Sequence, residues 1–277
     1  MSYDIRRTLG TSKMVSQIST PPNSINDVDA VIVGAGFAGM YMLYRLRNLG
    51  LTVQILEAGD AVGGTWYWNR YPGARCDTES MFYSYQFSND LQQEWEWTER
   101  YPRQPEILKY ANHVADRFDL RRDIMFGARV ISAKWHEKKQ IWHIETSTRN
   151  QISAQFCIMA TGCLSSPNIP NFRGLKNFKG DIFHTGLWPD QHVNFANKSV
   201  AILGTGSSGI QVIPEIAKDA QRLYVFQRTA NYVVPAHNRP LNSKEVSYIK
   251  ENYSKLRANA KQTNSGNIFE TGGPSAL

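Results

Sequence analysis

Cysteine is scarce in this chain, long apolar runs are missing, and its basic residues are not gathered into runs. Cys76, Cys157 and Cys163 are the only cysteines in 277 residues, too few and too scattered for a disulfide framework or a zinc site. Thiol usage of that kind points to a reducing, cytoplasmic compartment. The histidines are isolated and lack ligand spacing, so no metal is expected. No stretch approaches the roughly 18 to 20 apolar residues that cross a bilayer, which predicts a soluble protein without a membrane partner. A net charge of +7 invites a nucleic-acid reading. The dispersed basic residues form no arm and no recognition helix, so no nucleic-acid partner is expected. Residues 1–27 are polar, contain Pro21-Pro22 and lack an apolar h-region. They read as an N-terminal arm, not a secretory signal.

What is present is the material of an ordinary buried core, with 42% hydrophobic and 20% charged residues. Residues 30–33 form a short apolar run ending in glycine, the pattern of a buried parallel strand. Met40, Leu43, Tyr44 and Leu46 recur at helical spacing up to Gly50, and residues 52–56 are β-branched and apolar. Strand, glycine turn, helix and strand make a βαβ unit, whose crossover keeps the strands parallel. Pro105 and Glu106 open a helix with Ile107, Ala111, Val114 and Phe118 on one face. Residues 129–136 and 141–146 half-alternate around Glu137-Lys138-Lys139-Gln140, which predicts an antiparallel hairpin. Residues 156–159 read as another buried strand. Trp95 and Trp97 are expected as packing anchors in preference to a substrate cage, and Cys163 as small buried filler in preference to a reactive thiol.

Beyond Pro167 and Pro170 the cycle repeats, with a strand over residues 199–203, a second glycine turn, a helix, and a strand over residues 223–226. A polar helix follows over residues 243–261. The expected fold class is α/β, with two Rossmann-like dinucleotide-binding units (the FAD/NAD(P)-binding fold). The second unit and the closing part of the first are incomplete. Residues 28–165 are read as the first, FAD-binding domain, 166–198 as a linker, and 199–277 as a partial NADP-binding domain.

Gly34-Ala35-Gly36-Phe37-Ala38-Gly39 and Gly204-Thr205-Gly206-Ser207-Ser208-Gly209 both fit G-x-G-x-x-G. One glycine makes the tight turn, the next lets backbone approach a pyrophosphate, and the third lets helix and strand pack closely. The pyrophosphate then rests on the amide-rich, positive end of the helix. A lone motif is weak evidence. Here each copy follows an apolar strand and opens an amphipathic helix. The residue closing the second strand separates them. Counting 23 positions from Gly34 reaches Glu57, whose carboxylate can accept from ribose hydroxyls. The same 23 positions from Gly204 reach Gln227, with Arg228 next. A guanidinium can grip a 2′-phosphate that a carboxylate would repel. The first site is thus expected to take FAD or NAD and the second NADPH, with hydride passing from nicotinamide to flavin.

Between the turns, Gly63-Gly64-Thr65-Trp66 and Trp68-Asn69-Arg70-Tyr71-Pro72-Gly73-Ala74-Arg75-Cys76-Asp77 resemble the FAD-side loop of Baeyer–Villiger monooxygenases. Residues 178–189 fit that family's F-x-G-x-x-x-H-x-x-x-W-P fingerprint at every fixed position. The resemblance implies FAD and NADPH (retained as NADP+) as cofactors, and a ketone and O2 as small-molecule substrates. NADPH reduces FAD, oxygen adds as a flavin C4a-peroxide, and one oxygen atom enters beside the carbonyl to give an ester or lactone. The resemblance also implies roles for residues. Asp77 holds an Arg that stabilises the anionic peroxide. His184, on the linker, is read equally as a catalytic or coupling residue and as a satisfied histidine. Gly64, Thr65, Trp66, Asp77, Tyr83 and Val130 join Gly34, Gly36, Phe37, Gly39 and Glu57 around FAD. Arg75 and Cys76 border the nicotinamide. Ser207, Ser208, Gln211, Arg228 and Thr229 join Gly204, Thr205, Gly206 and Gly209 around NADPH.

The family's chains are longer. By resemblance, the stabilising Arg and the strands that complete both sheets belong to a missing C-terminal half. Two alternatives therefore stay open. One is a flavin N- or S-oxygenase, a group that usually lacks Trp-Pro at the fingerprint's end. The other is a non-catalytic nucleotide-binding fragment lacking the catalytic Arg. Disulfide reductases of similar layout carry a C-x4-C pair beside the flavin, and this sequence has none.

Overall fold

The computed structural model describes residues 26–263. The expected N-terminal arm lies, up to residue 25, outside the described residues, as does the tail beyond Thr263. Strand β1 (Asn26–Val33) is the centre of a six-stranded sheet. Its apolar residues are buried on both faces: Ala30 and Ile32 enter one core, Val31 and Val33 the other. A strand buried in that way has no polar face to show, which is why it reads as a continuous apolar run. Helix α1 (Phe37–Asn48) carries the chain over to β2 (Val53–Leu56), which pairs parallel with β1. Strand β3 (Ile124–Met125) adds to β2, again in parallel.

Short helices α2 (Thr65–Trp68) and α3 (Asn89–Glu94) precede α4 (Gln104–Arg117), which has Pro105 in its first turn. Helix α4 buries Ile107, Tyr110, Ala111, Val114 and Ala115 in the first core, the single stripe that helical spacing predicts. The expected hairpin is present as β4 (Val130–His136) and β5 (Ile141–Thr146), paired antiparallel. Strand β6 (Gln151–Met159) is longer than the apolar run at 156–159 predicts, and Phe156 and Met159 are exposed where that run predicts burial. Its first half pairs antiparallel with β5, and the strand also runs parallel to β1. The sheet order is β3-β2-β1-β6-β5-β4.

The second unit consists of β7 (Ser199–Leu203), α5 (Ser207–Ala217) and β8 (Arg222–Phe226), with its two strands parallel. Among the described residues these strands form a sheet of their own. Leu203 and Phe226 are both more than half exposed.

Helix α6 (Ser243–Ala260) departs from the domain expectation. Sequence order places it in a unit spanning 199–277, yet Ile249 and Tyr253 are buried in the first core beside Met40 and Ile107. Val246 and Leu256 pack on the same cluster, so the stripe of apolar residues is real and its partner is the first unit. The approach is tied down by backbone: Arg100 N–H donates to the Arg239 carbonyl at 2.9 Å and Leu241 N–H to the Thr98 carbonyl at 3.0 Å. Arg257, only 9% exposed, donates to Gln92 Oε1 at 2.7 Å and Ser84 Oγ at 2.9 Å, beneath α6.

Candidate functional site

The first glycine turn is built by close approach. Gly34 adopts φ +106°, and a Cβ there would lie 2.7 Å from the Ala160 carbonyl oxygen at the end of β6. A Cβ on Gly39 would lie 1.9 Å from the Gly34 carbonyl oxygen. Gly36 caps α1 in extended backbone with no side-chain cap, and the first helical turn contains no acidic residue. The amides of Phe37, Ala38 and Gly39 thus face outward from a helix end, where intrahelical partners do not exist. Gly63 N–H donates to the Ala35 carbonyl at 3.1 Å, and Gly64 lies against Gly36, with an added Cβ only 2.8 Å from the Gly36 Cα. Two glycine loops are thereby stacked back to back, and Thr65 begins α2 directly after them.

Glu57, 4% exposed, closes β2. Its Oε2 accepts from Ala35 N–H at 2.6 Å and its Oε1 from Gly59 N–H at 2.7 Å. A carboxylate has about four acceptor positions. Glu57 therefore braces the turn and keeps acceptor capacity for hydroxyl donors. Its backbone carbonyl accepts from Ala128 N–H at 2.8 Å, two residues before Val130, which packs in the second core.

An aromatic wall stands beside this turn. Trp66 Nε1 donates to the Tyr83 hydroxyl at 3.0 Å, and the Trp66 carbonyl accepts from Gln104 Nε2. The Phe37 ring lies 5.5 Å from Tyr83 and 5.1 Å from Tyr85. The Tyr85 hydroxyl donates to the Phe37 carbonyl at 2.6 Å. Burial raises the pKa of both Tyr83 and Tyr85, so the wall is uncharged. Cys76 is buried next to it, and desolvation pushes its thiol up as well. Asp77 is exposed, and its side chain makes no hydrogen bond or ion pair among the described residues.

The second turn repeats the first. Gly204 has φ +101° and its N–H donates to the Phe226 carbonyl at 2.9 Å, as Gly34 N–H does to Leu56 at 2.9 Å. A Cβ on Gly209 would lie 2.5 Å from the Gly204 carbonyl oxygen, and α5 begins after an uncapped Gly206. The surroundings differ: a Cβ on Gly204 or Gly206 would meet nothing within 4 Å. At the Glu57 position stands Gln227, whose Nε2 donates to Thr205 Oγ1 at 2.9 Å. Arg228 and Thr229 are exposed, and Arg228 makes no hydrogen bond or ion pair among the described residues. Asn231, which has no motif to announce it, donates to the Thr205 carbonyl at 2.8 Å and holds the turn from the other side. Ser207 and Ser208 occupy the first turn of α5.

Two expected site residues look elsewhere. Gln211, expected near NADPH, turns its amide to Tyr71 and Arg75 of the first unit. His184 accepts from Gly186 N–H at 3.1 Å through Nδ1, capping the 3-10 turn Thr185–Leu187 within its own linker. Trp188 of the fingerprint packs with Tyr71, Phe195 and Val212 in a third apolar cluster, and Arg70 pairs with Asp190.

Residues 31–268 match the family model for pyridine nucleotide-disulphide oxidoreductases. The chain belongs to that family. It is 46% identical over 231 residues to a Baeyer-Villiger monooxygenase of Pseudooceanicola batsensis, covering 83% of this chain and 42% of the relative. It is 44% identical over 230 residues to cyclohexanone 1,2-monooxygenase of an Acinetobacter species, with coverages of 83% and 42%. The solved structure of an oxidised steroid monooxygenase bound to NADP matches with TM-score 0.85 and 52% identity, covering 88% of this chain and 46% of that one. The chain thus spans slightly under half the length of these relatives. The likeness first carried by residues 63–77 and 178–189 extends over 83 to 88% of this chain in these matches. Cys76, Cys157 and Cys163 are all free thiols, so the disulphide chemistry in the family's name has no cysteine pair here.

Proposed function

We propose that this chain is the dinucleotide-binding portion of an FAD- and NADPH-dependent Baeyer–Villiger monooxygenase that converts a ketone and O2 to an ester or lactone. The observation that carries the reading is the pair of glycine turns with matching geometry and opposite ends, Glu57 in one and Gln227 with Arg228 in the other. Both turns fit a dinucleotide phosphate, since each ends in a helix start with no side-chain cap and no acid in its first turn. When bound, FAD supplies the oxygen activation that no side chain of this chain can perform.

The chain's own residues bind and orient. The amides of Phe37 and Ala38 receive the FAD pyrophosphate, and Glu57 accepts from the ribose hydroxyls. Trp66 and Tyr83 form the uncharged wall along the flavin side and keep water from it. The amides at Ser207 and Ser208 take the NADPH pyrophosphate, and Arg228 pairs with the 2′-phosphate. Asp77, exposed beside buried Cys76, is placed to anchor a cation near the flavin. His184 keeps the linker turn in shape while the nucleotide binds. The first domain corresponds to residues 28–165, the linker to 166–198, and the NADPH unit starts at residue 199. No helix among the described residues is long and apolar enough to cross a membrane. With three free thiols, we place the protein in the cytoplasm.

The test is a visible spectrum of the purified chain with anaerobic addition of NADPH, and a product assay with cyclohexanone on the whole protein of which it is a portion. Bound yellow flavin, bleached by NADPH, with lactone formed, is the expected result. Colourless protein overturns the FAD assignment. Oxidation of an amine or sulfide in preference to the ketone moves the activity to the N- and S-oxygenases.

A further inference from the structure

The side chain of Gln211 leaves its own nucleotide unit and works in the other. Its Oε1 accepts from the Tyr71 hydroxyl at 2.9 Å and from Arg75 N–H at 3.3 Å, while its Nε2 donates to the Arg75 carbonyl at 3.1 Å. One amide therefore satisfies both backbone groups of Arg75, as a neighbouring strand would. These partners are 140 and 136 positions away in sequence.

The fit around this contact has no slack. Gly73, at φ +81°, packs on α5 so tightly that a Cβ would lie 2.4 Å from the Gln211 carbonyl oxygen and 2.9 Å from Glu215 Cγ. Tyr71 and Ala74 join Val212 and Ile216 in a buried cluster on the same contact. Arg75 is held from its other side by Glu99, at 3.7 Å, and by a bridge to Arg103. Gln211 stands in the second turn of α5, whose start presents the Gly206 and Ser207 amides. Arg75 stands two residues before Asp77. A single side chain thus joins the phosphate end of one nucleotide unit to the loop beside the aromatic wall of the other.

We propose that Gln211 is a positioning residue that locks α5 to residues 71–75, so that the two dinucleotide units move as one body at this contact. The inference deepens the two-nucleotide reading above and rests on it for its functional meaning. The nicotinamide end of a nucleotide held by α5 is then presented to the Arg75–Cys76–Asp77 loop at a set distance. Any rotation between the units is confined to places other than this contact.

Amide hydrogen exchange on the intact chain, wild type and Gln211→Leu, tests it with NADP+ as the probe. Without nucleotide, the Arg75 amide exchanges about tenfold faster in Gln211→Leu, since its acceptor is gone. The Gly204 amide, bonded to Phe226 within the second unit, keeps its wild-type rate. With saturating NADP+, wild type slows exchange at Arg75 and Cys76, whereas Gln211→Leu binds NADP+ within about threefold of wild type and transmits no slowing. Gly73→Ala, which keeps Gln211 but wedges the contact, gives the same uncoupling. Unchanged Arg75 exchange in Gln211→Leu, or slowing by NADP+ that still reaches Arg75, overturns the lock. Failure of wild type to bind NADP+ sinks the second-site assignment instead, and the nucleotide-free comparison still decides the lock.

Discussion

Gly39 stands so close to Gly34 that a Cβ on it would lie 1.9 Å from the Gly34 carbonyl oxygen. The acceptor is backbone, so nothing flexible can give way. Gly39→Ala is therefore expected to push α1 off β1 and lower unfolding free energy by about 3 kcal/mol, the upper part of the range for overpacking. Gly206→Ala provides the contrast, because its added Cβ meets nothing within 4 Å and its φ is −69°. It should stay within about 0.5 kcal/mol of wild type and yet lose NADP+ binding through crowding of the phosphate. Urea titrations and NADP+ binding on both variants check this. Equal destabilisation by the two substitutions would contradict the open cradle at the second turn.

Much of this was legible in the residues, and the exceptions share a cause. The run at 30–33 and both glycine motifs announced themselves because burial on two faces and backbone approach each demand particular residue types. Strand β6 outruns its apolar stretch because Gln151-Ile152-Ser153-Ala154-Gln155 carries the polar residues of a strand paired with a hairpin, while residues 156–159 have the apolar composition of a buried parallel strand. One strand serves both neighbours. The stripe Val246, Ile249, Tyr253 and Leu256 predicts that α6 buries a face, but periodicity is silent about which unit receives it. The resemblance places Gln211 at the NADPH turn, and nothing in the sequence announces its contact with Tyr71 and Arg75. A glutamine on a helix looks the same in sequence whether it meets water, a nucleotide or a backbone 136 residues away.

Arg257 fixes α6 to the first unit without any carboxylate. It is 9% exposed, forks to Gln92 and Ser84, and lies over the Tyr253 ring at 4.9 Å. Burial lowers the pKa of Arg257 and pushes the Tyr253 hydroxyl up to about 12. Arg257→Ala strands the buried Gln92 oxygen and removes the guanidinium packing, at an expected cost of about 3 kcal/mol. Arg257→Lys should recover little, because an ammonium cannot supply the planar fork. A urea midpoint for Arg257→Ala equal to wild type would refute this account of α6 docking.

The three thiols should separate by burial. Cys163 is exposed, against the expectation of buried filler, whereas Cys76 is 5% exposed and its thiol is raised above its ordinary 9.0, chiefly by desolvation. At pH 8 an alkylating reagent is expected to label Cys163 first and Cys76 only after urea unfolds the chain, as read by peptide mass spectrometry. The same shift sets a sign for stability. An unfolded chain ionises this thiol near 9.0 and the fold only at higher pH. Its contribution is therefore present below pH 9.0 and lost as pH rises through the folded value. Cys76→Ala should flatten the alkaline fall in melting temperature. Rapid native labelling of Cys76 would instead mean that the loop opens.

Arg228 offers the cleanest separation of the two nucleotide sites. It is exposed and unpartnered among the described residues, so its removal disturbs no contact of the fold. Any loss of affinity in Arg228→Ala is then a direct loss at the nucleotide. A charge-assisted bond to a 2′-phosphate predicts a loss of about tenfold to a hundredfold for NADPH. NADH, which lacks that phosphate, should bind as it does to wild type. Gln227→Glu attacks the same discrimination from the other side, since it installs at the second turn the residue that Glu57 supplies at the first. A carboxylate there opposes the 2′-phosphate and favours free ribose hydroxyls, so NADPH affinity falls while NADH affinity rises. Fluorescence titration of both variants with both nucleotides decides the point. Parallel losses for NADPH and NADH would show that Gln227 and Arg228 do not discriminate between the two nucleotides, and would remove the physical basis these side chains give to the assignment.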